Sequence, residues 1–196
     1  MVAVIDYDTG NLRSVCNALG RLGVDFELTA DPFVIRKADK VLMPGVGEAS
    51  SAMLKLRERG LDSVIPTLTQ PVLGICLGLQ LMCRRSDEGN TPCLSIFDTD
   101  VVRMVPDKKK GIKVPHMGWN RITSLKSPLL DGVKEGSYMY FVHSYAASLC
   151  DGTIAVSDNG ILFSAALHKG NFYGVQFHPE KSGDAGALIL KNFIAL

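Results

Sequence analysis

Cys76 stands in the segment Gly74-Ile75-Cys76-Leu77-Gly78, between a continuous apolar run and a helical pattern. With serine in place of cysteine this spacing makes a nucleophile elbow. There a sharp strand-to-helix turn exposes the nucleophile, and small neighbours give the chain room to bend. Gly74 and Gly78 supply that room. The turn also sets the sulfur at a helix N-terminus, whose unpaired N–H groups and dipole favour thiolate over thiol. The amide of the next residue, Leu77, is placed to donate to a developing oxyanion. For the cysteine alone, the competing reading is a small buried residue that merely packs.

A thiol nucleophile needs a base, and the chain has four histidines: His116, His143, His168 and His178. The informative one lies in Gly174-Val175-Gln176-Phe177-His178-Pro179-Glu180. Residues i and i+2 of an extended segment point to one side, and Pro179 biases His178 toward an extended backbone. His178 and Glu180 are therefore expected to project together from the end of a strand. Glu180 would bond one ring nitrogen and leave the other facing the sulfur, a triad of Cys76, His178 and Glu180. The loop Pro44-Gly45-Val46-Gly47 follows another strand, and its glycines let backbone N–H groups approach a substrate as a second oxyanion donor. Read alone, that loop is a plain β-to-α turn, and His-Pro-Glu is a solvated pair after a strand. His168, on an apparent strand, is explained by alternation.

The elements that must position these groups are legible in the hydrophobic periodicity. Strands are expected at Val2–Ile5, 24–28, 40–43 and 72–75. Helices are expected through Leu12, Val15, Leu19 and Leu22, through Ala49, Ala52, Met53 and Leu56, over 61–68 (weakened by Pro66), and from Leu77 to about Arg85. Thr9-Gly10-Asn11 reads as a turn. Strands alternating with helices imply a parallel sheet covered on both faces. From about Leu94 the pattern turns to short β-like runs at 101–105, 119–123, 138–142, 153–156, 164–167 and 172–177. They are expected to extend the sheet in antiparallel or mixed fashion. A closing helix over 184–196 would set Leu188, Ile189 and Phe193 on one face. The expected fold class is a single α/β domain over 1–196, a central mostly parallel sheet flanked by helices with an antiparallel β-rich extension.

Composition narrows the function classes. Hydrophobic residues make up 46% of the 196, enough for a sizeable core, and a formal charge of +1 gives no field to attract nucleic acid or an anionic membrane. The run Lys108-Lys109-Lys110 has no aromatic neighbours and reads as a solvated loop. The apolar run Val2–Ile5 stops at Asp6, far short of a signal-peptide core, and no stretch approaches the ~20 apolar residues that span a bilayer. The five cysteines, Cys16, Cys76, Cys83, Cys93 and Cys150, include no C-x-x-C pair. Their scatter favours a reducing, cytoplasmic compartment over disulfides or a zinc site, and no metal or cofactor is expected.

The segments Gly74-Ile75-Cys76-Leu77-Gly78-Leu79-Gln80 and Gln176-Phe177-His178-Pro179-Glu180 resemble the signatures of the class I (triad) glutamine amidotransferases. Four more segments are similar to blocks of the glutaminase subunits of imidazole glycerol phosphate synthases: Thr9-Gly10-Asn11-Leu12-Arg13-Ser14-Val15, the loop at 44–47, Pro115-His116-Met117-Gly118-Trp119-Asn120, and Tyr140-Phe141-Val142-His143-Ser144-Tyr145. The resemblance spans essentially the whole chain and implies a flavodoxin-like architecture. It implies Cys76 as nucleophile, His178 as general base then acid, Glu180 as its orienter, and the amides of Val46 and Leu77 as oxyanion donors. Gly47, Gln80, His143, Ser144 and Tyr145 would hold L-glutamine. Asn11, Tyr140 and Lys181 would lie near a subunit interface and an ammonia path. His116 and Trp119 take structural or interface roles. The implied partner is a cyclase subunit with a (β/α)₈ barrel, joined in a heterodimer. It uses the ammonia to convert PRFAR to imidazole glycerol phosphate and AICAR. Alternatives that remain open are a glutaminase serving another synthase, a stand-alone cysteine hydrolase, and a non-catalytic module of the same fold.

Overall fold

The computed structural model describes residues 1–8, 10–109 and 111–196. Thr9 of the expected turn and Lys110 of the lysine run lie outside the described residues. The first half runs β1 (Val2–Ile5), α1 (Leu12–Arg21), β2 (Phe26–Thr29), α2 (Pro32–Lys37), β3 (Lys40–Gly45), α3 (Ala49–Glu58), α4 (Leu61–Val64), β4 (Val72–Cys76) and α5 (Leu77–Leu81). The second half adds β5 (Arg85–Ser86), β6 (Thr91–Pro92), β7 (Asp100–Arg103), β8 (His116–Arg121), β9 (Tyr138–His143), β10 (Tyr145–Ala147), β11 (Thr153–Asp158), β12 (Leu162–Lys169), β13 (Phe172–Val175) and α6 (Gly183–Ala195).

The main sheet has seven strands in the order β11-β12-β13-β4-β3-β1-β2. The five from β13 to β2 are parallel, and β12 and β11 add antiparallel strands at one edge. Alternation along each strand divides the core between the two faces. Val2, Val4, Leu42, Leu73 and Ile75 pack with Val15 and Leu19 of α1 and with Ile189 and Phe193 of α6. Ala3, Ile5, Val41, Met43 and Val72 pack with Ile35, Met53, Leu56 and Leu79 on the other face. Each fully buried leucine or valine contributes about 1.5–3 kcal/mol relative to exposure, which is what fixes these helices to the sheet.

Several expectations are corrected. The helix after Cys76 is one turn, Leu77–Leu81, rather than reaching Arg85. Its terminal carbonyls are taken by the following loop, with Leu94 N bonding Leu81 O and Ile96 and Phe97 N bonding Met82 O. Arg84 N then pairs with Thr99 O, and the Arg84 guanidinium bridges Asp98 and Asp100, drawing the chain into strand pairing. Only three of the later strands extend the main sheet. The strand β7 joins β10, β5 and β6 in a separate four-stranded sheet, and β8 and β9 form a hairpin of their own. The helix α2 is additional to the expected elements, although Asp31 accepts a hydrogen bond from Phe33 N and Pro32 follows at the first helical position, both helix-start signals. The second strand starts at Phe26, two residues later than expected. On α6, Leu190 is buried with Ile189 and Phe193, and Leu188 is only partly covered.

Candidate active site

Three adjacent parallel strands, β3, β4 and β13, end on the same edge of the sheet. Gly45 lies opposite Cys76, and Val175 opposite Ile75. The open ends of parallel strands are where such sheets bind ligands, and here they bring together three motifs far apart in sequence.

Cys76 has φ 54° and ψ −107°, a left-handed backbone that a residue with a Cβ rarely adopts. The strain is held by packing. A Cβ on Gly78 would overlap the Met43 carbonyl, and one on Gly74 would come within 2.7 Å of the Gly78–Leu79 backbone. Both glycines are therefore required by the close seating of α5 on β3 and β4, and the elbow follows from that seating.

His178 and Glu180 project together, with Nδ1 of the ring 2.8 Å from Oε1 of the carboxylate. Both side chains are almost fully buried. The backbone of His178 is pinned by its N–H donating to Tyr140 O (2.9 Å) and by Ser182 Oγ donating to its carbonyl (2.6 Å). Burial pushes the imidazole pKa down, but the neighbouring Cys76 sulfur and Glu180 carboxylate outweigh it and raise the pKa to about 9. The sulfur thus lies beside the ring, although Nε2 has no aligned hydrogen bond among the described residues. Loose geometry of this kind is common in unliganded sites.

The sulfur has a second polar neighbour. Gln176, fully buried, places Nε2 at 3.6 Å from Cys76 Sγ, and its Oε1 accepts from Gln80 Nε2 at 3.0 Å. Gln80 also donates to Tyr145 O at 2.9 Å. Around Cys76 opens a cleft of about 330 Å³ lined by Val46, Gly47, Leu77, Gln80, Glu88 and the 142–145 segment, among others.

The sequence profile of the class-I glutamine amidotransferases matches residues 3–196. The chain belongs to that family. It is 58% identical over 195 residues to the imidazole glycerol phosphate synthase subunit HisH of Bacteroides fragilis, covering all of this chain and 99% of that one. The proteins of the same name from Haemophilus influenzae and Escherichia coli are 52% and 49% identical, covering 98% and 100% of this chain and 96% and 99% of their own. Among solved structures, a putative GMP synthase subunit from Thermoplasma acidophilum superposes with TM-score 0.77 at 21% identity, over 99% of this chain and 92% of its own. PurLQS from Thermotoga maritima gives 0.72 at 14%, over 99% and 97%. At such identities these two speak for the fold alone.

Within this amidotransferase, the sequence-derived residues mostly converge. Val46, Gly47, Leu77, Gln80, His143, Ser144 and Tyr145 all line the cleft with Cys76. Asn11 is turned inward and donates to Glu180 Oε1 at 2.6 Å. It stands at the start of α1 in a left-handed conformation, and its side chain caps nothing there. Tyr140 and Lys181 sit together, the ammonium 6.0 Å from the ring centroid. His168 is elsewhere, stacked on Tyr173 at 4.2 Å. Cys16, Cys83, Cys93 and Cys150 are free thiols that do not line the cleft.

Gln176, beside the sulfur, and Glu88, on the cleft wall, have no role assigned from the sequence. Gln176 was visible in its motif, two residues before His178 and so on the same side of an extended chain. Glu88 gave no signal, since it lies between two-residue strands. Its Oε2 accepts from Ala49 N at 2.9 Å, tying the cleft wall to the start of α3, and burial raises its carboxyl pKa.

Proposed function

We propose that this chain is the glutaminase subunit of an imidazole glycerol phosphate synthase, a single catalytic domain over residues 1–196. The observation that carries the reading is Cys76 on its strained elbow beside the buried His178–Glu180 pair. The chain around them is 49–58% identical, end to end, to proteins bearing that subunit's name.

The roles follow from acyl-transfer chemistry. Glutamine enters the cleft with its side-chain amide toward Cys76. Gln80 and the His143-Ser144-Tyr145 segment, with Gly47, hold its α-amino and α-carboxylate end, and the Glu88 carboxylate on the wall suits the ammonium group. The sulfur attacks the amide carbon, and the backbone amides of Leu77 and Val46 receive the oxyanion. His178, held protonated at neutral pH by its two neighbours, gives its proton to the leaving nitrogen. Ammonia departs and a γ-glutamyl thioester remains. The ring, now neutral, takes a proton from water as that water attacks the thioester, and glutamate leaves.

Ammonia that meets bulk water is protonated and loses its nucleophilicity, so it must pass directly to a cyclase subunit, a (β/α)₈ barrel that converts PRFAR to imidazole glycerol phosphate and AICAR. The outer face of the β8–β9 hairpin suits that contact. Met117, Trp119 and Tyr138 are 50–64% exposed there, beside Arg121, Tyr140 and Lys181. Among the described residues no helix is long and apolar enough to cross a membrane, in keeping with a cytoplasmic enzyme.

The test is ammonia release from glutamine by the chain alone, with the barrel subunit, and with a phosphoribosyl ligand bound to that subunit. Little activity alone and strong stimulation by the barrel are expected. Stimulation by a different synthase and none by the barrel would reassign the subunit. The Cys76→Ala variant should lose several orders of magnitude in rate. Unchanged ammonia release would reject the thiol mechanism.

A further inference from the structure

The hairpin register sets His116 opposite His143, and both imidazoles are nearly closed to water, 7% and 6% exposed. Their hydrogen bonds form a chain whose two ends fix its direction. At one end Asn120 Oδ1 accepts from Arg121 N at 2.8 Å, so the amide nitrogen is the group turned to His116 Nε2, at 3.1 Å. The amide nitrogen can only donate, so His116 Nε2 must carry the lone pair. At the other end His143 Nδ1 lies 2.8 Å from the Tyr145 carbonyl, which can only accept, so His143 Nδ1 carries the proton. Between them His116 Nδ1 and His143 Nε2 are 2.9 Å apart. A single assignment satisfies all three bonds: both rings neutral, both with the proton on Nδ1.

Adding a proton to either ring breaks the chain. A proton added at His143 Nε2 faces the N–H of His116, and one added at His116 Nε2 faces the N–H of Asn120. The surroundings agree. Phe141 stacks on His116 at 5.0 Å and Phe163 closes on both rings, so a cation there would have no solvent. Burial lowers both pKa values, that of His143 to about 3.

We propose that His116 is a positioning residue for glutamine binding: by donating to His143 it holds the His143 ring with its Nδ1–H on the Tyr145 carbonyl and so fixes the 143–145 wall of the cleft. This rests on the glutaminase reading above. The carbonyl of Tyr145 also receives Gln80 Nε2, so both its lone pairs are occupied, and Ser144 O is held by Met104 N at 2.9 Å. If the His116 donor is lost, His143 is free to move its proton to Nε2. Its Nδ1 lone pair would then face the Tyr145 carbonyl, and the wall would shift. His116 itself does not line the cleft, so its effect reaches the substrate only through His143.

Two measurements test this on the full-length chain. The first is ¹⁵N-detected NMR of the histidine rings at pH 7, which reads tautomers whatever the activity. The expectation is that both His116 and His143 are neutral with the proton on Nδ1. A charged ring or an Nε2–H tautomer at either position would overturn the relay. The second is glutaminase kinetics with the barrel subunit present. His116→Phe keeps the stacked ring and removes both nitrogens, whereas His116→Asn places an amide donor near the lost Nδ1. The Phe variant should raise KM for glutamine about tenfold, the order expected when a buried acceptor loses its donor, with kcat within about threefold, and Asn should restore much of that loss. An unchanged KM in the Phe variant, a fall in kcat alone, or equal impairment of both variants would overturn the positioning role. Wild-type chain that never releases ammonia would sink the glutaminase reading instead, and the tautomer measurement would still decide the relay.

Discussion

His178 and His143 are almost equally hidden from water, 1% and 6% exposed, yet their pKa values move in opposite directions, to about 9 and about 3. Burial acts on both in the same sense, against the charged ring. The outcome is decided by what each ring faces. His178 meets a sulfur and a carboxylate, which stabilise a cation. His143 meets a carbonyl, which helps it only slightly, and another imidazole, and it also feels the cationic tendency of His178 itself. One environment holds a ring ready to give up a proton. The other holds a ring that keeps its only proton in one place. Paired groups whose surroundings push their pKa values apart mark the division of labour in a site.

The largest test of that division is Glu180→Gln, which keeps the shape of the side chain and removes its charge. With the carboxylate gone, burial opposes only the Cys76 contribution, so the His178 midpoint in an NMR titration should fall by at least about one unit. Ammonia release in the presence of the proposed barrel subunit should fall roughly 10⁴-fold, the order seen when the orienting carboxylate of a catalytic triad is neutralised or removed. A midpoint that stays at about 9 would assign the shift to the sulfur alone. His143 should keep its tautomer in this variant, since no bond of the relay involves Glu180.

A smaller effect is expected where the two environments meet. Gln80 Nε2 donates both to the Tyr145 carbonyl on the neutral side and to Gln176 Oε1, which leaves the Gln176 amide nitrogen turned to Cys76 Sγ. Replacing Gln176 with Leu removes that donor at similar volume. Loss of one hydrogen bond to a charged group corresponds to about 1.5–3 kcal/mol, so kcat should fall about 10–100-fold with KM little changed. A rise in KM with kcat intact would mean that Gln176 serves the substrate wall and not the sulfur.

Much of the proposed catalytic side was legible in the sequence because its signals are local. The glycines around Cys76 are required by backbone contacts within a few residues and one neighbouring strand. The spacing of His178 and Glu180 is a property of extended chain. The parallel strands β1, β3 and β4 could be read as apolar runs because they are buried along nearly their whole length, whereas β2, at the sheet edge, exposes Glu27 and Leu28. The neutral side could not be read in this way. His116 meets His143 only through the hairpin register, and the direction of their bond depends on Asn120 and on the Tyr145 carbonyl, none of which periodicity reveals. The same holds for β5 and β6, whose two-residue strands are defined by pairing and by the Arg84 ion pairs. Periodicity overstates the helix after Cys76 because its apolar residues continue past Leu81, whereas its hydrogen bonds are taken over by the 94–97 segment. Asn11 is a further case. Its place at a helix start suggests a cap, but its side chain is committed to Glu180.

The smallest expected effect is on folding stability as a function of pH, and the two histidine environments should act on opposite flanks. His178 has a raised folded pKa, so its stabilisation is complete below its unfolded value near 6.5 and is lost as pH rises through about 9. His143 has a lowered folded pKa, so its stabilisation is complete above about 6.5 and is lost as pH falls toward about 3, with His116 acting in the same direction. Each flank can reach at most about 1.4 kcal/mol per pH unit for one proton. In a domain of this size that is a few degrees of Tm per unit. Glu180→Gln should therefore flatten the alkaline flank and leave the acid one. His143→Asn, which retains a donor for the Tyr145 carbonyl, should flatten the acid flank between about pH 6 and 4 and leave the alkaline one. Thermal melts of both variants across pH 4–9 separate the contributions, because the many surface carboxylates are common to both. If each variant alters the two flanks alike, the rings do not titrate independently, and the partner groups named here are not what sets them apart.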